Sequence, residues 1–399
     1  MFIGISEKVH PILRRLRIFI NEVIIPNEQT YQDHLAVDRW QEPEVMTAMK
    51  QQAKSAGLFN LFLSAESYNQ VEYAHLAEAM GRTEIAAEVF NCASPDTGNM
   101  DILARFGNRT QQETWLQPLM SGAVRSGFAM TEPAVASSDA GNLASKAMLK
   151  GDQWILNGEK SWVSGAGHPD CQFLVLMCVT NPDAPLDARH SVLVVPMDTP
   201  GLEITRMVSV FGYDDAPHGH AQIRFTNAEI PASHLIGQRG QGFEIVQGRL
   251  GFGRIHHCMR SIGAAERALS LMVERSKSRY AFGKPLSELG GNVDVIANSR
   301  IDIEMSRLMA LKAAAQLDAV GLEAALNDIA QMKVAVPNMA LAVIDRAIQM
   351  FGGTGVSGDT PLAKMWAAHR ALRLSDGPDE VHREMISRHE MGRFSDTYL

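Results

Sequence analysis

The sequence predicts an α+β chain in three parts: an N-terminal helical domain over 1–124, a middle antiparallel β domain over 125–232, and a C-terminal four-helix bundle over 233–399. Three observations predict it. Apolar residues recur at steps of three and four near both ends. Short β-rich segments cluster in the middle, separated by Gly, Pro, Asn and Asp. Helical periodicity then resumes after Gly240, in long runs with few breakers. At roughly 150 residues per domain, 399 residues suit two or three domains. An apolar content of 46% is ample for more than one core.

In the first part, Ile12, Leu16, Phe19, Ile20 and Val23 share a helical face, and Pro26 is expected to stop that helix. VEYAHLAEAMGRTEIAAEVF and TQQETWLQPLM continue the helical pattern. In the middle part, QWILNGEKSWVSG, QFLVLMCV, HSVLVVPM, GLEITRM and HAQIRFTNAEI read as strands. Asn157-Gly158, between two strand-like runs, predicts a hairpin turn. In the last part, the run from Glu244 to Phe282 is one long pattern. The run from Ile301 to Val336 is another, with Ile301, Met305 and Leu308 on one stripe. ALAVIDRAIQMF and LAKMWAAHRALRL follow. Long helices with short connections imply an antiparallel bundle.

Composition narrows the function classes. There are 37 basic and 45 acidic residues, a formal charge of −8, so the chain gains no counterion-release affinity for nucleic acid. Cys92, Cys171, Cys178 and Cys258 form no CxxC pair and read as reduced thiols in a cytoplasmic setting. The first 26 residues carry charges at Lys8, Arg14, Arg15, Arg17 and Glu22 and lack the core of a signal peptide. No run of about 18 uncharged apolar residues exists, so no membrane span is expected. No metal site is expected either. His256, His257 and Cys258 are consecutive and diverge around a helix, and His218 with His220 lacks a third ligand.

Gly353-Thr354-Gly355-Val356-Ser357-Gly358 matches GxGxxG, with Asp376 about 20 residues later. A dinucleotide fold needs a strand before the first glycine. Here Leu341, Ile344, Ile348 and Phe351 make a helix instead. Gly352-Gly353 ends that helix and lets backbone come close to a ligand.

Five segments stand out together: FAMTEPAVASSDAG (128–141), NGEKSWVSGAG (157–167), SRYAFGKPL (278–286), QMFGGTGV (349–356) and LSDGPDEVHR (374–383). In this order, in a helical–β–helical frame, they resemble the acyl-CoA dehydrogenase family. They are most like the branch that in animals is fused to an aminoglycoside-phosphotransferase-like kinase. The resemblance implies the acyl-CoA dehydrogenase fold and bound FAD. It also implies an acyl-CoA substrate from fatty acid metabolism, electrons passed to an electron-transfer flavoprotein, and a homodimer or homotetramer.

The resemblance also assigns residues. Phe128, Met130 and Thr131 contact the isoalloxazine edge. Ser138 sits near the flavin pyrophosphate and the acyl-CoA. The family has three residues between TEP and Ser-Asp where this chain has four, so Ser137 is an alternative to Ser138. Trp162 covers a flavin face on a hairpin, and Ser164 Oγ reaches flavin N5. Arg279 and Phe282 hold the ADP part of FAD in the neighbouring subunit, with Gln349, Gly352 and Gly353 lining the same site. Pro378 and Glu380 are further cofactor-binding positions, and Gly377 a substrate-binding one. Asp376 is the base that takes the α-proton, in a motif where many members have Glu. Asp379 and Glu380 are carboxylates that spacing alone does not rank below it. The rival base position of some relatives falls at Gly253, which has no side chain. Arg254 lies near base and substrate and is expected to hold Asp376 ionised. Two alternatives carry the same frame: a flavin oxidase such as nitroalkane oxidase, and a flavin-holding nucleic-acid-binding protein of the alkylation-response type.

Overall fold

The structure, a computed structural model, describes residues 3–63 and 68–397. The chain divides into two compact units, each interleaved along the sequence. One comprises Asn27–Leu63 and Glu88–Leu250; the other comprises Met1–Pro26, Ser64–Ala87 and Gly251–Leu399.

The first of these is built on one eight-stranded sheet. Its strands are β1 (Arg125–Ala129), β2 (Lys146–Lys150), β3 (Gln153–Ser164), β4 (Cys171–Val179), β5 (His190–Pro196), β6 (Leu202–Val208), β7 (His220–Pro231) and β8 (Leu235–Ile236). The order is β6-β7-β3-β2-β4-β5-β8, and β1 pairs in parallel with β4. Strand β4 shows why QFLVLMCV is apolar throughout. Side chains alternate faces along a strand. Leu174, Leu176 and Cys178 join a core with Trp154, Leu156, Ile223 and Ile230. Phe173, Val175 and Met177 join another with Met100, Leu103, Leu116, Leu119 and Ile245. Both faces are buried, so no alternation is visible in the sequence.

Asn157-Gly158 is not a hairpin turn; it lies inside the continuous strand β3, which pairs along its length with β7. A Cβ on Gly158 would sit 2.7 Å from Ser145 Cα, and its φ is +145°. The glycine is there for close backbone approach at a bulge. Asn157 is spent on Asn227, with side-chain bonds of 2.9 and 3.1 Å across to β7. The turn falls earlier, at Gly151-Asp152, where Lys150 pairs with Gln153.

The other unit is helical. Its long helices are Gly242–Ser278, of which it holds the part from Gly251, then Asn292–Phe351 and Asp379–Thr397, with the shorter Leu362–Leu372. Gly321, at φ 80° and ψ 176°, breaks Asn292–Phe351 into two helices. Neighbours run antiparallel: Glu266 pairs with Arg300 and Arg307, and Lys312 with Asp328 across the Gly321 break. Helix Gln70–Met80 starts on a capping box of Asn69 and Glu72.

One helical expectation is corrected, and one stripe is placed. Pro26 does not stop the first helix. Val9–Phe19 passes through a π-helical segment, Ile20–Ile24, into Ile25–Val37. Pro26 falls in the first turn after the wide segment, where a missing N–H is tolerated. The Ile301, Met305 and Leu308 stripe faces outward in the single chain, each more than half exposed. The buried face of that helix carries Ile303, Ala310, Leu311 and Ala314 instead. By length and composition, Asn292–Val356 could cross a membrane. Its break at Gly321 and its fully buried Lys333, bonded within the protein, are features of a core helix.

Candidate active site

In the helical unit, the chain leaves Leu362–Leu372 and turns before Asp379–Thr397. Asp376 occupies this turn at φ +55° and Gly377 at φ +99°. Left-handed backbone at an aspartate costs conformational energy unless surrounding bonds impose it. Four side chains impose it. Lys333, fully buried, donates from Nζ to the carbonyls of Leu372 (2.6 Å) and Ser375 (2.9 Å). Arg254 Nε donates to the Asp376 carbonyl at 2.9 Å. His382 Nε2 lies 3.3 Å from the same oxygen. Arg373 donates to Asp379 Oδ2 at 2.8 Å and closes the turn around the next helix start.

Arg254 thus binds the backbone of Asp376, not its carboxylate, although its charge still favours the ionised carboxylate. A histidine that the sequence analysis weighed only as a metal ligand also approaches the carboxylate. His257 Nε2 lies 3.8 Å from Asp376 Oδ2. Burial pushes the Arg254 guanidinium down, against the opposing pull of Asp376. Burial likewise lowers the Lys333 ammonium, with Cys258 and Asp376 pulling the other way. Burial, then Arg254 and Lys333, push His382 down to about 4, so it is neutral at pH 7. Gly253 faces open space, with no atom within 4 Å of where a Cβ would stand. A Cβ on Gly377 would meet His382 Nε2 at 2.9 Å.

In the β unit, Trp162 and Ser164 project from the end of β3. Trp162 has φ +56°, and the β3–β7 register shifts between Lys160 and Val163. This bulge turns the indole outward, leaving it 45% exposed. The register brings Ser164 opposite His220. Ser164 Oγ lies 2.9 Å from His220 Nδ1, and His220 Nε2 lies 3.0 Å from Asp215 Oδ2. The Trp162 and His220 rings are tilted, 5.8 Å apart.

The loop after β1 is braced from beneath. Lys160, fully buried, donates to the Met130 carbonyl (2.9 Å) and to Glu132 Oε1 (2.8 Å). Glu132 also accepts from the amides of Ala144 and Ser145. Burial raises the Glu132 carboxyl, but Lys160 and the two amides outweigh it and hold it below the usual range. The Thr131 carbonyl accepts from the Ser161 amide at 2.8 Å, which ties this loop to β3. Thr131 itself is exposed. Phe128 is half-buried under Arg249, whose guanidinium stacks 3.8 Å from the ring centroid. Ser137 Oγ accepts from the Glu132 amide at 2.8 Å and closes the loop, whereas Ser138 is exposed.

The remaining predicted residues lie on exposed edges of the helical unit. Arg279 follows helix Gly242–Ser278 and enters a hairpin of β9 (Tyr280–Ala281) and β10 (Lys284–Pro285). Its turn is Phe282-Gly283, both at positive φ, with Phe282 97% exposed. Gln349, Gly352 and Gly353 are exposed at the end of Asn292–Phe351, and neither glycine has an atom within 4 Å of a Cβ position. Pro378 is half-buried beside Asp376, and Glu380 is exposed. His220, Asp215, Glu132, Lys160, Lys333, His257 and His382 were not legible as site residues. The one available signal was Lys333, a charge inside the apolar run AQMKVAVP.

Comparison with known proteins adds a frame to this geometry. Three family models match in order: acyl-CoA dehydrogenase N-terminal domain over 6–123, middle domain over 127–228 and C-terminal domain over 240–391. The chain is 48% identical to the probable acyl-CoA dehydrogenase FadE2 of Mycobacterium tuberculosis, over 100% of this chain and 99% of that protein. It is also 48% identical to acyl-CoA dehydrogenase family member 10 of Mus musculus, over 97% of this chain but 37% of that protein. It spans about half of the Arabidopsis thaliana relative, a probable acyl-CoA dehydrogenase. A solved Mycobacterium abscessus chain, described as an acyl-CoA dehydrogenase, superposes with a TM-score of 0.95 at 47% identity, covering 98% of this chain and 100% of that one. The butyryl-CoA dehydrogenase of Megasphaera elsdenii, at 23% identity and TM-score 0.82, shares the fold.

Proposed function

The chain is an enzyme of the acyl-CoA dehydrogenase family, and we propose that it removes hydrogen from the α and β carbons of an acyl-CoA thioester with FAD as hydride acceptor. The observation that carries this reading is the Asp376 turn: a carboxylate on strained backbone, locked by Arg254, His382 and Lys333.

The residues present suit FAD. A half-exposed indole turned out by a bulge offers a wall for a flat ring, with a hydroxyl beside it. Arg279 offers a planar fork for phosphate, and Gly352-Gly353 presents backbone with no side chain in the way. Phe128, Met130 and Thr131 would edge the ring, and Ser138 is better placed than the locally bonded Ser137 to meet a ligand. Bound FAD would supply a two-electron acceptor at N5.

Asp376 takes the α-proton. The carbonyl bonds from Arg254 and His382 fix the peptide plane of Asp376 and so aim its side chain. The positive charge of Arg254 favours the ionised carboxylate, the form that accepts a proton. An aspartate is shorter than the glutamate common in the family by about 1.5 Å. The substrate is therefore expected to carry its α-carbon closer to the turn, a constraint that suits an unusual acyl chain. The four free cysteines are all buried, in keeping with a reducing, cytoplasmic setting. The exposed Ile301, Met305 and Leu308 stripe supports a homodimer or homotetramer, and an electron-transfer flavoprotein is the proposed electron acceptor.

The test is anaerobic flavin bleaching against a panel of straight, branched and oxygenated acyl-CoAs, with nitroethane alongside. Reduction by at least one acyl-CoA is expected. Reduction by nitroethane with peroxide release, and by no acyl-CoA, would replace this reading with a flavin oxidase.

A further inference from the structure

Ser164, His220 and Asp215 form a continuous hydrogen-bonded chain in the β unit, from beside the exposed indole of Trp162 to a partly exposed carboxylate. Its polarity follows from donor and acceptor inventory. An ionised Asp215 only accepts, so His220 Nε2 carries the hydrogen across the 3.0 Å contact. In a neutral imidazole, Nδ1 is then bare and accepts from the Ser164 hydroxyl at 2.9 Å. The Ser164 proton points inward, and its lone pairs are left to receive an N–H from outside. That arrangement matches a reduced flavin, whose N5 bears a hydrogen. An oxidised N5 bears a lone pair and calls for the reverse: His220 protonated at Nδ1, donating to Ser164, which donates outward.

We propose that Ser164, His220 and Asp215 are a proton relay that takes the N5 hydrogen, as a proton, when reduced flavin is reoxidised. This rests on the reading of Trp162 and Ser164 as the flavin wall. Two electrons leave to an external one-electron acceptor, in two steps. The N5–H bond breaks, and its proton goes to Ser164 Oγ as the Ser164 proton passes to His220 Nδ1. The resulting imidazolium is held by Asp215 and discharges to solvent. Both outer members reach it: the His220 side chain is 19% exposed and that of Asp215 35%. His220 and Asp215 are positioning and proton-holding residues that act through Ser164.

The charged and titratable groups facing His220 come from its own strand's loop and from the strands beside it. Asp215 is its direct partner. Strands β3 and β6, which flank it, present Ser164 and Val208 opposite. His218 interacts with His220 electrostatically, and burial followed by Arg125 pushes His218 down to about 4, so it adds no competing charge at pH 7. Behind His218 stand Arg125, Glu88 and His168.

The experiment reduces the FAD-loaded protein with dithionite, so that substrate identity plays no part, and mixes it with ferricenium in H2O and D2O. Wild type, Asp215→Asn, His220→Gln and Ser164→Ala are compared, with bound FAD read from the flavin spectrum and folding from circular dichroism. Wild type is expected to show a solvent isotope effect on reoxidation. All three variants are expected to retain FAD and reoxidise about 100-fold or more slowly, the lower end of a lost general acid–base step. Equal reoxidation rates in wild type, His220→Gln and Ser164→Ala would overturn the relay. If Asp215→Asn fails to fold, Ser164→Ala, which cuts the chain at its other end, still decides. A wild-type chain that holds no FAD overturns the flavin reading as well, and its missing flavin spectrum distinguishes that failure from a failed relay.

Discussion

Replacing Lys333 with Met tests whether the base turn is held from the helix core. The Nζ ammonium donates to two carbonyls, Leu372 at 2.6 Å and Ser375 at 2.9 Å, immediately before Asp376. Hydrogen bonds from a charged donor contribute about 1.5–3 kcal/mol each. Met has a similar length and no charge to bury, so removal also relieves the desolvation that lowers the Lys333 ammonium. The net loss is about 2 kcal/mol, a fall of about 4–8 °C in Tm for a unit of this size. Activity should fall further than stability alone requires. A displacement of about 1 Å at a reacting group costs up to about 100-fold in rate. The assay is stopped-flow flavin reduction at saturating acyl-CoA, at a temperature where the variant is fully folded. A reduction rate equal to wild type, alongside the expected fall in Tm, would refute the view that Lys333 positions the base.

Three other outcomes follow from the same geometry. His382→Gln should flatten the acid limb of the stability profile. The folded His382 has its pKa near 4 against about 6.5 unfolded, so the unfolded chain binds the extra proton and wild-type stability falls by about 2–4 kcal/mol as pH drops from 6.5 to 4; denaturant titrations across that range check it. Glu132→Gln leaves the fully buried Lys160 ammonium without its carboxylate, and urea unfolding should show a loss of about 3–5 kcal/mol together with weaker FAD retention. Gly377→Ala places a methyl 2.9 Å from His382 Nε2 at φ +99°, and should cost about 1–3 kcal/mol in thermal unfolding and slow flavin reduction.

The helical–β–helical frame was legible because amphipathic periods of 3.6 and 2 dominate long stretches, and local chemistry decided the exceptions. Asn157-Gly158 carries the local signature of a tight turn, but β7 pairs along both sides of it and Ser145 crowds the glycine, so tertiary contact overrode the dipeptide. Pro26 failed as a stop because the preceding π segment reset the hydrogen-bond phase. Met305 and its neighbours match a core stripe in spacing, yet Ile303 and Ala310 pack inward. Spacing cannot say which of two apolar faces is covered. At the site, Asp376 stood out by its motif, whereas its clamps did not. Lys333 and Asp376 are joined through backbone carbonyls, which carry no sequence signal. Ser164 and His220 are 56 residues apart and meet only because β3 and β7 pair in that register.

The central claim is that Asp376 removes the α-proton while bound FAD accepts the hydride. Its most direct test is anaerobic mixing of FAD-loaded Asp376→Asn with the acyl-CoA that best bleaches wild type. Asparagine keeps the size and the backbone bonds to Arg254 and His382 but is not a base. Unchanged FAD content with flavin reduction nearly abolished is the predicted result. Bleaching at the wild-type rate would contradict it and move the base to another residue.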